Sequence, residues 1–186
     1  YRGLTKYPEA IRNYEKALAI AEGRKENDQT INLQTKVAEV YELQGDLVKA
    51  NKYYDQSLIL ANRQDKKTAA LQKNKAADFY NKNNSFDKEI IMRKAALEDI
   101  EVVEEVRQQE VIKDSISKVV RNDQYSVNAI SPQVQNYKIA RAFAAQQNLD
   151  QAVSFLEESI KLSEAKNDLV VQKDATRKLG EVYRQK

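Results

Sequence analysis

The chain has 186 residues, 32% of them charged and 41% hydrophobic, with four glycines, two prolines and a formal charge of +3. That balance suits a helical protein long enough to bury a substantial core, and no run approaches the roughly 18–20 apolar residues of a membrane helix. With neither cysteine nor histidine, thiol nucleophiles, disulfides, zinc thiolate sites and imidazole acid/base chemistry are excluded.

Acids are interleaved with the lysines and arginines, so no basic face for nucleic acid stands out. Gly3, Gly23, Gly45 and Gly180 are scattered and form no phosphate-cradling loop. No cofactor or metal site is expected, and the segment reads as non-catalytic, which leaves room for a flanking catalytic domain such as a histidine kinase.

In chain order, residues 1–27 place Ala10, Tyr14 and Leu18 at helical spacing. They read as the second helix of a pair whose first helix is cut short. Residues 28–64 read as a complete pair. Asp28 is a candidate N-cap, and the first helix ends in Lys36-Val37-Ala38-Glu39-Val40-Tyr41. Gly45-Asp46 makes the turn, and Ala50, Tyr54 and Leu58 mark the second helix.

Residues 65–130 read as a third unit. Asp65 precedes a first helix ending in Lys75-Ala76-Ala77-Asp78-Phe79-Tyr80, and Asn83-Asn84-Ser85 forms the turn. From Phe86 to Val120 there is no Gly or Pro. Apolar residues persist at helical spacing through Ile90, Leu97, Ile100, Val103, Val106, Ile112, Ile116 and Val119. One continuous helix over 86–120 would run to about 50 Å. An insertion at about 101–131 accounts for the unit's extra length. It reads either as a long or kinked helix with a solvated tip and a loop returning over 121–130, or as an arm for self-association. The acids Glu98, Asp99, Glu101, Glu104 and Glu105 read as a solvated face, with Arg93, Lys94 and Arg107 in helical reach.

Residues 131–166 open on Ser131-Pro132, an N-cap followed by proline at the first helical position. They continue through Lys138-Ile139-Ala140-Arg141-Ala142-Phe143, a turn at Gln147-Asn148, and Ala152, Leu156 and Ile160. Residues 167–186 begin another unit, with Asp168 as cap and Lys178-Leu179-Gly180-Glu181-Val182-Tyr183 closing its first helix. Its apolar residues Leu169, Val170, Leu179, Val182 and Tyr183 are expected to form a face with no downstream partner, available for self-association or for a further repeat.

The six-residue phrase therefore occurs four times, with its lysines 39, 63 and 40 residues apart. Recurrence near 40 marks a stacked repeat. Leu179-Gly180 with Tyr183 resembles the core of the tetratricopeptide repeat, and Ala38, Ala77 and Ala140 stand at the glycine position in the other copies. The second-helix part appears as Ala10/Tyr14/Ala17, Ala50/Tyr54/Ser57 and Ala152/Leu156/Ser159, and degrades to Glu89/Arg93/Ala96. The leading Trp and the closing proline are missing. The long period resembles a subclass found in bacterial sensor and regulatory proteins.

The resemblance implies an all-α, right-handed solenoid of antiparallel helix pairs, with one elongated helix near 86–120. It also implies a concave groove for a protein or peptide partner, lined by Lys36, Lys75, Lys138 and Lys178. Three of those lysines have an acid three residues on (Glu39, Asp78, Glu181), and such pairs neutralise the local potential. Lys138 instead has Arg141 there and Tyr137 before it, so these three are the leading contact candidates. Arg177 beside Lys178 extends the patch, and Asn74 and Asn81 offer polar contacts. The function implied is a binding scaffold within a larger signalling protein. The alternative is an assembly module that oligomerises through 86–120.

Overall fold

The computed structural model describes residues 6–113 and 130–186, with side chains described outside 105–113. Among the described residues there are eight helices and no strand. They are α1 (Tyr7–Gly23), α2 (Asn27–Gln44), α3 (Leu47–Asn62), α4 (Lys66–Lys82), α5 (Phe86–Lys113), α6 (Pro132–Ala145), α7 (Leu149–Lys166) and α8 (Leu169–Gln185). The chain divides into two compact units, residues 1–72 and 73–186, with the boundary inside α4. The four copies of the six-residue phrase all fall in the even-numbered helices.

In the first unit α2 packs against both α1 and α3. Ile11, Leu18 and Ala21 of α1 are buried with Ile31, Val37 and Ala38 of α2 and with Ala50, Tyr54 and Ala61 of α3. The α2–α3 turn is closed by Gly45 at φ +81°, the left-handed region that costs glycine nothing. Asp46 then caps α3 by accepting from the Lys49 N–H at 3.1 Å.

In the second unit α6 packs on α5 and α7, and α7 on α8. Ala140, Ala144, Ala152, Leu156, Ala175 and Val182 form one buried cluster, and Ile90, Ile139 and Ala142 another. The rings of Phe143 and Phe155 stack between them at 5.5 Å. The Lys94 ammonium stands over both rings, at 5.4 and 5.2 Å.

Small residues permit close helix approach at Ala38, Ala77 and Ala140, each fully buried. Gly180 does not share that role. It is exposed, and a Cβ built there meets nothing within 4 Å.

The helix starts agree with the sequence in part. Asp65 caps α4 through the Thr68 N–H at 2.8 Å, and Asp168 caps α8 through the Val171 N–H at 3.2 Å. Ser131 precedes Pro132 at the start of α6, as expected, but makes no side-chain capping bond. Asp28 is not an N-cap. It lies inside the first turn of α2 and accepts from Gln64, while Glu26 holds the cap position without a side-chain capping bond.

Helix α5 has 28 residues, about 42 Å at 1.5 Å per residue. The expected continuation over 114–120 and the return over 121–129 lie outside the described residues. Glu89, Ile90, Arg93, Ala96, Asp99 and Ile100 are buried, so the helix is part of the core as far as Ile100. The solvated face expected of the acidic run fails at Asp99. That carboxylate is buried and accepts a short hydrogen bond from Lys73 of α4.

The expected free face of α8 is also narrower than its sequence implies. Leu169, Val170 and Tyr183 are exposed, but Val182 is fully buried and Leu179 packs on the core.

Candidate functional site

Where the other repeats place alanine and then tyrosine or leucine on the second helix, α5 places Glu89 and Arg93, both 1% exposed. A charge this deep is costly unless every polar atom finds a partner. Arg93 does so with its whole fork. Its Nε donates to Glu89 Oε1 at 2.7 Å, one turn back on the same helix. Nη2 donates to Asp78 Oδ1 at 2.8 Å, and Nη1 to Asn74 Oδ1 at 3.0 Å, both on α4. Nη1 also lies 3.4 Å from Gln135 Oε1 on α6. Gln135 in turn donates to Asn74 at 3.0 Å, and Asn81 donates to Glu89 Oε2 at 2.8 Å. One guanidinium thus holds the end of α4, α5 and α6 in register.

This hub settles the surroundings of several sequence-predicted contacts. Asn74 is buried and occupied by Arg93 and Gln135, and Asn81 is bonded to Glu89. Asn74 Oδ1 and Asn81 Nδ2 are thus engaged within the second unit. The expectation of an uncompensated Lys138 fails, because its ammonium lies 3.2 Å from Asp78 Oδ1. The compensating acid comes from α4, sixty residues away in sequence, and not from its own helix. Asp78 is therefore shared by Arg93 and Lys138. Burial pushes its carboxyl up, but the Arg93 hydrogen bond and the Lys138 and Arg93 charges outweigh that, and the pKa is lowered.

The remaining lysines behave mostly as the i,i+3 reading expects. Lys36 pairs with Glu39 at 2.8 Å in the first unit, and Lys178 with Glu181 at 3.0 Å in the second. Lys75 is half-buried on α4. Arg177 pairs with Asp174 on its own helix at 3.6 Å and remains exposed.

Arg141 differs from all of these. It is exposed on α6, and among the described residues no carboxylate lies within ion-pair distance of it. Its guanidinium stands 5.9 Å from the centre of the Tyr137 ring, one turn earlier. The arrangement is a cation pre-ordered on an aromatic platform, able to meet a carboxylate by two parallel hydrogen bonds.

Sequence reasoning missed Arg93, Glu89, Gln135, Lys73 and Asp99. The available signal was the charged pair at Glu89 and Arg93 in positions where other copies are apolar or small, since a charge at a core position demands a partner.

No described helix is long and apolar enough to cross a membrane. The family model of the tetratricopeptide repeat matches residues 1–63. None of the curated proteins matches the chain. Among solved structures, BtubC (BKLC) from P. vanneervenii superposes with a TM-score of 0.65 at 16% identity, over 97% of this chain and 65% of that one. A Podosopora anserina protein assigned as a kinesin light chain, with nearly identical TPR-like repeats, gives 0.64 at 15% identity, over 99% of this chain and 81% of that one. A point variant of that second protein is equally similar, with a TM-score of 0.64 at 15% identity, over 99% of this chain and 80% of that one. At these identities the likeness establishes the fold: an all-helical, TPR-like solenoid.

Proposed function

We propose that this tetratricopeptide-repeat chain is a non-catalytic scaffold that binds a protein partner through α6 of its second unit, as the recognition region of a larger signalling protein. Repeats of this kind generally mediate protein–protein interaction, and solenoids expose surface in place of a catalytic cleft. The observation that carries the reading is the Arg141–Tyr137 pair, an exposed cation with an aromatic platform and, among the described residues, no internal carboxylate. Lys138, Lys178 and Arg177 are by contrast already neutralised by acids of the chain itself. Arg141 is therefore the group with attraction to spare, and its preferred ligand is a peptide carboxylate.

A randomised peptide array probed with the chain tests this. Enrichment of Asp- or Glu-bearing peptides, lost in Arg141→Glu, is the expected result. Retention of the same peptides by that variant would remove the site. Assembly through 86–120 is the second reading: α5 buries Ile90 and Ile100 within the unit and leaves Ile91 exposed.

A further inference from the structure

Among the described residues, α8 is covered on one side. Ala175, Leu179 and Val182 pack into the cluster formed with α6 and α7, while Lys173, Thr176, Arg177 and Gly180 form an exposed stripe at helical spacing. Counted from the lysine of the six-residue phrase, the same positions in α2 are Ile31, Gln34, Thr35 and Ala38. All four are buried, and α2 is packed by α3. In α6 they are Gln133, Asn136, Tyr137 and Ala140, of which only Tyr137 is part-exposed, and α6 is packed by α7. The stripe that meets a second helix in those pairs is open on α8. Gly180, where an added Cβ meets nothing within 4 Å, leaves room for close approach, and Leu169 and Tyr183 are exposed apolar groups toward its two ends.

The α8 stripe differs from the others in charge. The four positions carry no ionised residue in α2 or α6, whereas α8 has Lys173 and Arg177, with Arg184 one turn beyond Gly180. Among the described residues Lys173 and Arg184 make no ion pair, and Arg177 has only the 3.6 Å contact with Asp174. A neutral helix laid over this stripe would strand cations away from water. The second unit shows what answers such a cation. Lys73 of α4 stands at the position matching Thr176, and its ammonium is met by the buried Asp99 carboxylate of α5, the next helix in the chain. A second copy does not supply this through the same face, because two α8 stripes would set cation against cation.

We propose that this face of α8 docks an amphipathic helix of a partner protein, whose apolar stripe carries Asp or Glu at the positions facing Lys173 and Arg177. The span from Leu169 to Arg184 is about 22 Å, so the docked helix has about four turns. The surface is separate from the Arg141 contact on α6 and adds a second kind of ligand to it.

The probe is a hydrocarbon-stapled amphipathic helix of about 20 residues with a Leu/Ala stripe flanked by Glu, compared with otherwise identical helices carrying Gln or Lys in place of Glu. Fluorescence anisotropy against the full chain is expected to show the Glu helix binding at least tenfold more tightly than the Gln helix, and the Lys helix more weakly still. Joint substitution of Lys173→Glu and Arg177→Glu, both at exposed positions, is expected to reverse that order. Gly180→Leu is expected to weaken the Glu helix at least tenfold with thermal unfolding retained, and Arg141→Ala to leave its binding unchanged. Equal affinity for the Glu and Gln helices, no binding at millimolar helix, or an unaltered order in the double variant would overturn the proposal. So would loss of binding in Arg141→Ala, which would assign the helix to α6. Sedimentation showing self-association that Gly180→Leu abolishes would give the face to a second copy instead.

Discussion

Arg93 Nε donates to Glu89 Oε1 at 2.7 Å, with both residues 1% exposed. This places a buried ion pair where the other copies have alanine followed by tyrosine or leucine. Removing one partner strands the other charge in the core. Arg93→Met is expected to destabilise the second unit by about 3–5 kcal/mol, whereas replacing both Glu89 and Arg93 by apolar residues of similar volume costs far less. Urea denaturation of the two single variants and the double variant measures this. Additive single effects would show that the pair is not a unit.

The repeat architecture was legible in the sequence because its signals are local. The turns at Gly45-Asp46 and Gln147-Asn148 and the Asp65 and Asp168 caps act within a few residues of themselves, and the small residue at Ala38, Ala77 and Ala140 recurs at a fixed place in the phrase. The site was less legible because its partners are distant. Lys138 is neutralised by Asp78 from another helix, and no spacing along α6 announces that. Asn74 was recognisable as a polar residue of the first helix but not as the acceptor for a buried arginine. The Tyr137–Arg141 contact, an i,i+4 pair on one helix, was legible.

Asp78 links the hub to pH. Its folded pKa lies below its unfolded value, so the stability it contributes is fully present above the unfolded pKa. That stability is lost as pH falls below about 4 and through the folded pKa. Asp78→Asn is expected to be less stable than the parent near pH 7, with the gap closing as pH falls from about 4 through the folded pKa. A gap independent of pH, measured by denaturation at each pH, would show that the carboxylate's charge is immaterial.

Tyr53 acts at the alkaline end. Burial, together with the Glu15 carboxylate that accepts its hydroxyl at 3.2 Å, pushes its pKa up to about 12. The ring also stacks on Tyr41 at 5.7 Å. A phenol with a raised folded pKa contributes stability that is full below about pH 10, the unfolded value, and lost as pH rises through 12. The parent is therefore expected to lose stability relative to Tyr53→Phe between those limits. Parallel stability curves for the two proteins would contradict it.

Two glycines separate backbone need from packing need. Gly45→Ala places a Cβ at φ +81°, and a cost of about 1–2 kcal/mol follows from the left-handed backbone alone, since the added Cβ meets nothing within 4 Å. Gly180→Ala adds the same group to an exposed helical position with equally open surroundings. It is expected to stabilise by about 0.4–1 kcal/mol. Thermal unfolding shifts of opposite sign are the check.

The most direct measurement of the binding account compares Arg141→Ala with Lys138→Ala against one carboxylate-bearing peptide taken from the array. Arg141 is exposed and, among the described residues, has no internal carboxylate. Its truncation is expected to weaken the peptide at least tenfold while leaving stability within about 0.5 kcal/mol of the parent. Lys138 is already held by Asp78, so its truncation is expected to weaken binding far less. The reverse order, with Lys138→Ala abolishing binding and Arg141→Ala leaving it intact, would contradict the account.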